Sequence, residues 1–73
     1  MTVDARGMLC PWPAVRLARA MREAGPGTRL RLIADDPRAE GECEALARAR
    51  GWTILARGGD GGVIALELGT AVA

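Results

Sequence analysis

Residues 8–21 read Met-Leu-Cys-Pro-Trp-Pro-Ala-Val-Arg-Leu-Ala-Arg-Ala-Met. From Ala14 the apolar side chains fall at Ala14, Leu17, Ala18 and Met21, the i, i+3, i+4, i+7 spacing of one helical face. Arg16, Arg19, Arg22 and Glu23 take up the rest of the circumference. Pro11 and Pro13 fit such a helix in one place only. The first backbone N–H groups of a helix have no intrahelical acceptor, so missing donors there break nothing, and both rings pre-set φ near the helical value. The spacing therefore predicts a helix with Pro11 at its first position and Pro13 at its third, and with Cys10 at or next to the cap. Gly25-Pro26-Gly27 ends it, glycine just past the last turn and proline behind.

On either side of this helix the pattern changes period. Thr2 to Ala5 is a short first strand, followed by a turn at Gly7. Leu30 to Ala34 is a second strand, bounded by glycine before it and Asp35-Asp36-Pro37 after it. Asp36-Pro37 is a helix start, since Asp caps and Pro fits the first helical position. Ala39, Cys43, Leu46 and Ala47 form the apolar stripe of that second helix, with Glu44 four residues ahead of Arg48 as a supporting pair. Gly51 ends it. Trp52–Arg57 and Val63–Leu68 are two strands joined by the glycine-rich segment 58–62, and the tail from Gly69 carries no pattern. The order β-α-β-α-β-β predicts an α/β two-layer sandwich with both helices on one face of a mixed four-stranded sheet. Its opening β-α-β is a right-handed parallel crossover and its closing strands an antiparallel hairpin.

Seventy-three residues are expected to make one domain, residues 1–73, with a thin core. Hydrophobic residues supply 49 % of the chain and the formal net charge is +1, which gives no reason to expect an acidic polymer as partner. All ten basic residues are arginine, and histidine is absent. The chain therefore holds no Cys–His or Ser–His pair and no histidine ligand for a metal. Two cysteines are too few for a closed zinc site or a disulfide scaffold, so neither a metal nor a cofactor is expected. The opening Met1–Asp4 lacks the basic and apolar regions of a signal peptide, and no stretch approaches ~18 uncharged apolar residues. A soluble cytoplasmic protein is the expectation.

The candidate for chemistry is Cys10. A thiol at a helix mouth lies near free N–H groups and the positive end of the helix dipole, which favours the thiolate. Arg6 and Arg16 are cations within reach in sequence. The bland alternative is a small hydrophobe at a helix start. Cys43, on the inward stripe of the second helix, reads as core.

The segment Asp4-Ala5-Arg6-Gly7-Met8-Leu9-Cys10-Pro11-Trp12-Pro13 resembles the D-x-x-G-x-x-C-P-x-P opening of the TusA/SirA-like family of small sulfur carriers. Gly27, Leu30 to Ile33 and Ala34-Asp35-Asp36-Pro37 match a second block, and Gly51-Trp52 a third. The resemblance runs over about residues 2–68 and implies the same β-α-β-α-β-β sandwich. It implies a carrier rather than a stand-alone turnover enzyme. Cys10 would receive sulfur as a persulfide from a cysteine desulfurase or rhodanese-type donor. An acceptor protein in tRNA thiolation, sulfur oxidation or molybdenum-cofactor synthesis would then take it. Gly7, Pro11 and Pro13 would shape the helix mouth, and the helix face around Cys10, with Arg6, Trp12, Arg16 and Arg19, would meet partners. Where the family carries Asp-Ile, this chain has Glu42-Cys43, keeping the acid and placing a thiol at the apolar position. Trp12 has two readings, a partner anchor or a cover over the adjacent loop. The arginines likewise form either a solvated face or a docking surface.

Three other classes compete. In a thiol-based redox-responsive interaction module, oxidation of Cys10 would change docking. Nucleic-acid binding is argued against by the near-neutral charge, two aromatics and the lack of a basic tail. A metallochaperone would need Cys10 and Cys43 to share a soft ion, but their spacing is not that of a two-thiol loop.

Overall fold

A computed structural model of the chain describes residues 1–70. Its elements are β1 (Thr2–Ala5), α1 (Trp12–Ala24), β2 (Arg29–Ala34), α2 (Ala39–Ala49), β3 (Trp52–Asp60) and β4 (Val63–Thr70). The four strands form one sheet in the order β1-β2-β4-β3. β1 runs parallel to β2, β4 is antiparallel to both its neighbours, and the sheet is mixed, as the element order requires.

Alternation builds the core. In β2, Leu30, Leu32 and Ala34 point inward while Arg29 and Arg31 stay in solvent. Val3 and Ala5 of β1 and Leu66 and Leu68 of β4 join them on the covered face. The helices supply the other layer, α1 with Pro13, Leu17, Ala18 and Met21 and α2 with Ala39, Cys43 and Ala47. Leu17, Leu30, Leu32, Leu66 and Leu68 are the largest apolar side chains fully removed from water. Each such burial contributes about 1.5–3 kcal/mol before entropy is charged against it.

Three boundaries differ from the sequence expectation. First, α1 begins at Trp12, so Pro11 sits at its cap and Pro13 at its second position rather than at the first and third. Second, α2 begins at Ala39, with Arg38 at its cap. Asp36 heads a turn instead: its carboxylate accepts the Arg38 N–H at 2.9 Å and its carbonyl accepts the Ala39 N–H at 3.0 Å. Third, the closing strands are longer than expected. Gly58, Gly59 and Asp60 belong to β3, Gly69 and Thr70 to β4, and the connection is Gly61-Gly62 alone. Both have positive φ, 61° and 85°, as a tight two-residue hairpin demands. Gly59 looks like loop in sequence yet is a ladder position that admits no side chain, because a Cβ there would run into the Val63 carbonyl. The last residues of the tail, 71–73, lie outside the described residues.

One feature of the topology positions the site. Ala5 pairs with Ala34 at the ends of the two parallel strands. The loop leaving β1, which carries Cys10, therefore emerges beside the loop leaving β2, which carries Asp35 and Asp36.

Candidate functional site at the Cys10 loop

Residues 6–11 connect β1 to α1 and are held by the neighbouring loop. The Gly7 N–H donates to both carboxylate oxygens of Asp35, at 2.9 and 3.1 Å. The Cys10 N–H donates to Asp36 Oδ2 at 2.8 Å. At the far end the Trp12 N–H closes onto the Leu9 carbonyl at 2.8 Å, and the Cys10–Pro11 peptide bond is cis. The hydrogen bond to Asp36 fixes the Cys10 backbone, and its side chain remains partly exposed.

Asp36 is the centre of this arrangement. It is 5 % exposed, a buried charge that would be costly without partners. Its partners are the Cys10 N–H, the Arg38 N–H and the Arg38 guanidinium, the last at 3.3 Å to Oδ1 and 3.2 Å to Oδ2. The Arg38 side-chain and backbone hydrogen bonds, followed by that from Cys10, hold the Asp36 carboxyl well below the usual carboxylate range.

The electrostatics of the thiol reverse the sequence expectation of an acidic cysteine. The Cys10 pKa is raised, first by the Glu42 carboxylate facing it from the opening turns of α2, then by desolvation; Arg38 pulls it down and Asp36 adds to the rise. The start of α1 gives little to set against this. Cys10 stands two positions before the helix, and the Trp12 N–H nearest to it is taken by Leu9. A fractional helix-end charge at that remove is outweighed by a full carboxylate charge. The two arginines expected to assist do not turn to the sulfur. Arg6 grips Asp4 with Nε at 3.0 Å and Nη2 at 2.9 Å, and that pairing lowers the Asp4 pKa to about 2, with Arg16 contributing. The cation that acts on Cys10 is Arg38.

Cys43 is where its spacing put it, fully buried on the inner face of α2. Burial, with a smaller effect of Glu42 and Cys10, pushes its thiol up to about 11. Both cysteines are free.

The other expected residues gather on the outer face of α1. Trp12 is 60 % exposed and Val15 49 % exposed. With Met8, Arg16, Arg19 and Arg22 they line an open groove of about 350 Å³. Arg19 also pairs with Glu23 at 3.3 Å. Trp12 therefore does not serve as a cover buried over the loop.

The local sequence does not mark Asp35, Asp36 or Arg38 as site residues; there Asp36-Pro37 reads as a helix start. A signal was present. Two strands in parallel register bring the loops at their C-terminal ends together, so the acids after β2 are natural acceptors for the free N–H groups after β1.

Among the described residues no three His, Cys, Asp or Glu side chains cluster as a metal site, and no helix is long and apolar enough to cross a membrane.

A backbone-clamped cysteine between a C-terminal strand end and a helix, on a two-layer sandwich, defines a class of small protein with one solvent-accessible thiol. The chain belongs to the TusA family: the family model described as Sulfurtransferase TusA matches residues 1–68. It is 39 % identical over 53 residues to a candidate sulfur carrier protein of Archaeoglobus fulgidus, covering 73 % of this chain and 69 % of that one. It is 34 % identical over 65 residues to a candidate sulfur carrier of Neisseria meningitidis serogroup A, covering 89 % and 88 %. A third such protein, from Bacillus subtilis, is 32 % identical over 62 residues, covering 85 % and 83 %. Among solved structures, a SirA-like protein from Desulfitobacterium hafniense superposes with a TM-score of 0.85 at 26 % identity over 96 % of each chain.

Proposed function

We propose that residues 1–73 act as a single sulfur-carrier domain, in which Cys10 accepts a sulfane sulfur as a persulfide and hands it to an acceptor thiol. The observation that carries this reading is the hydrogen bond from the Cys10 N–H to buried Asp36, which fixes the cysteine backbone while the thiol stays reachable. Family membership and the candidate sulfur carriers among its relatives support it.

The chemistry needs no cofactor. The Cys10 sulfur attacks the outer sulfur of a donor persulfide R–S–SH, the donor S–S bond breaks, and a new S–S bond forms on Cys10. The Cys10 proton passes by way of the Glu42 carboxylate to the departing donor sulfur, leaving Cys10–S–SH and R–SH. Delivery is the same exchange run onto an acceptor thiol, which takes the outer sulfur and returns Cys10–SH. No second cysteine of this chain takes part, consistent with the burial of Cys43.

The Glu42 carboxylate and desolvation disfavour the Cys10 thiolate, so attack on the donor draws on Glu42 to take the proton as the new S–S bond forms. The groove beside Trp12 and Val15, bordered by Arg16, Arg19 and Arg22, is the docking face for donor and acceptor proteins. Rhodanese or a cysteine desulfurase charged with radiolabelled sulfur tests the reading. Label should appear on the parent protein, leave with a reductant, and be absent from Cys10→Ala. Label that stays off the parent with either donor overturns it.

A further inference from the structure

The carrier reading assigns no role to Arg38, which the sequence offers only as the residue after Asp36-Pro37. Its side chain has 66 % exposure, enough freedom for a surface arginine to wander. It is nonetheless held as a fork on Asp36, with Nε on Oδ1 and Nη2 on Oδ2. Oδ2 is the same oxygen that accepts the Cys10 N–H. The guanidinium and the cysteine backbone thus share one acceptor atom, itself buried. The anchoring acid is fixed in turn by the Arg38 N–H, so cation and cysteine loop are tied to one carboxylate.

We propose that Arg38 is a positioning residue for Cys10, its guanidinium held on Asp36 so as to stabilise the anion that forms on the cysteine sulfur. The inference rests on the carrier reading for its purpose. A persulfide is a stronger acid than a thiol, so a loaded carrier holds more negative charge than a resting one. Arginine stays cationic at any working pH, and its benefit therefore appears when the anion appears. The charged groups around the sulfur are Glu42 and Asp36, both opposing the anion, and Arg38, favouring it, with Cys43 buried and neutral behind. Arg38 is the group that offsets the two acids. Of the two cations the sequence offers for this role, Arg6 is occupied by Asp4 and Arg16 lines the groove beside Trp12.

The test uses the full chain with Cys43→Ala, leaving one thiol, and reads iodoacetamide alkylation against pH. Arg38→Gln should move the profile to higher pH and slow alkylation at pH 7 by roughly three- to tenfold, the scale expected when a nearby opposite charge is removed. Arg38→Lys should restore most of the rate. Glu42→Gln should move the profile the opposite way. An Arg38→Gln profile that overlays the parent overturns the inference, as does Arg38→Lys as slow as Arg38→Gln. A displaced Arg38→Gln profile in a parent that takes sulfur from no donor supports the Arg38 role and overturns the carrier reading instead.

Discussion

Asp36 and Cys10, 26 residues apart in sequence, are joined by a 2.8 Å hydrogen bond from the cysteine N–H to the buried carboxylate. Parallel pairing of β1 with β2 makes this bond possible, because it brings the two loops to one end of the sheet. The clamp holds the Cys10 loop against the acid that also anchors Arg38.

Asp36→Asn should loosen it. An amide can offer Cys10 only one oxygen, and its NH₂ group cannot accept where Oδ2 did. Amide hydrogen exchange at Cys10 should quicken by about tenfold or more while the exchange of Leu32 and Leu66 in the central strands changes little. Equal acceleration throughout the sheet would show that Asp36 supports the whole fold rather than the loop.

Acid should weaken the protein through the same group. The Asp36 and Asp4 carboxyls lie below their ordinary value of 3.8 when folded, Asp4 at about 2. Between the folded and unfolded values the unfolded chain binds more protons. The stability these acids contribute is therefore complete above roughly pH 5 and is lost as the pH falls toward 2. Urea midpoints measured from pH 6 to pH 2.5 should fall more steeply for the parent than for Asp36→Asn. Parallel curves would contradict the assignment.

Cys43 should behave as core. With its thiol pushed up to about 11 and no exposed surface, it should resist iodoacetamide at pH 8 in the native protein and react once the chain is unfolded. Cys43→Ala should cost about 1 kcal/mol of stability and leave sulfur loading intact. Loss of loading with stability unchanged would give Cys43 a chemical role that the carrier cycle lacks.

Trp12→Ala separates docking from folding. Trp12 is largely in solvent, so the unfolding free energy should change by no more than about 0.5 kcal/mol. Sulfur exchange with a protein donor should show a raised KM, roughly tenfold or more if Trp12 is a hot spot. Exchange with a small donor such as polysulfide should be unaffected. Equal loss with both donors would place Trp12 in the chemistry instead of the contact.

The fold was legible where one period ran unbroken. Leu17, Ala18 and Met21, Leu30 and Leu32, and Ala39, Cys43 and Ala47 all lie inward as their spacing requires, and the mixed sheet follows from the element order. Helix starts were less legible, because Pro11 and Asp36 each satisfy the rules for more than one position of a first turn. Gly58 and Gly59 carry no strand signal, and register with β4 alone makes them strand. At the site, Cys10 stood out by local sequence. The acidity of its thiol did not, because that depends on Glu42 and Arg38, which reach it through tertiary structure. The local sequence offers a helix dipole; the folded chain sets the Glu42 carboxylate against it.

Intact-mass spectrometry of the reduced protein after exposure to rhodanese and thiosulfate, with Cys10→Ala and Cys43→Ala run in parallel, bears most directly on Cys10 as the sulfur carrier. The expected result is a gain of one sulfur atom on the parent and on Cys43→Ala, removed by reductant and absent from Cys10→Ala. A parent mass unchanged by this donor and by a cysteine desulfurase, or a gain that persists in Cys10→Ala, would contradict it.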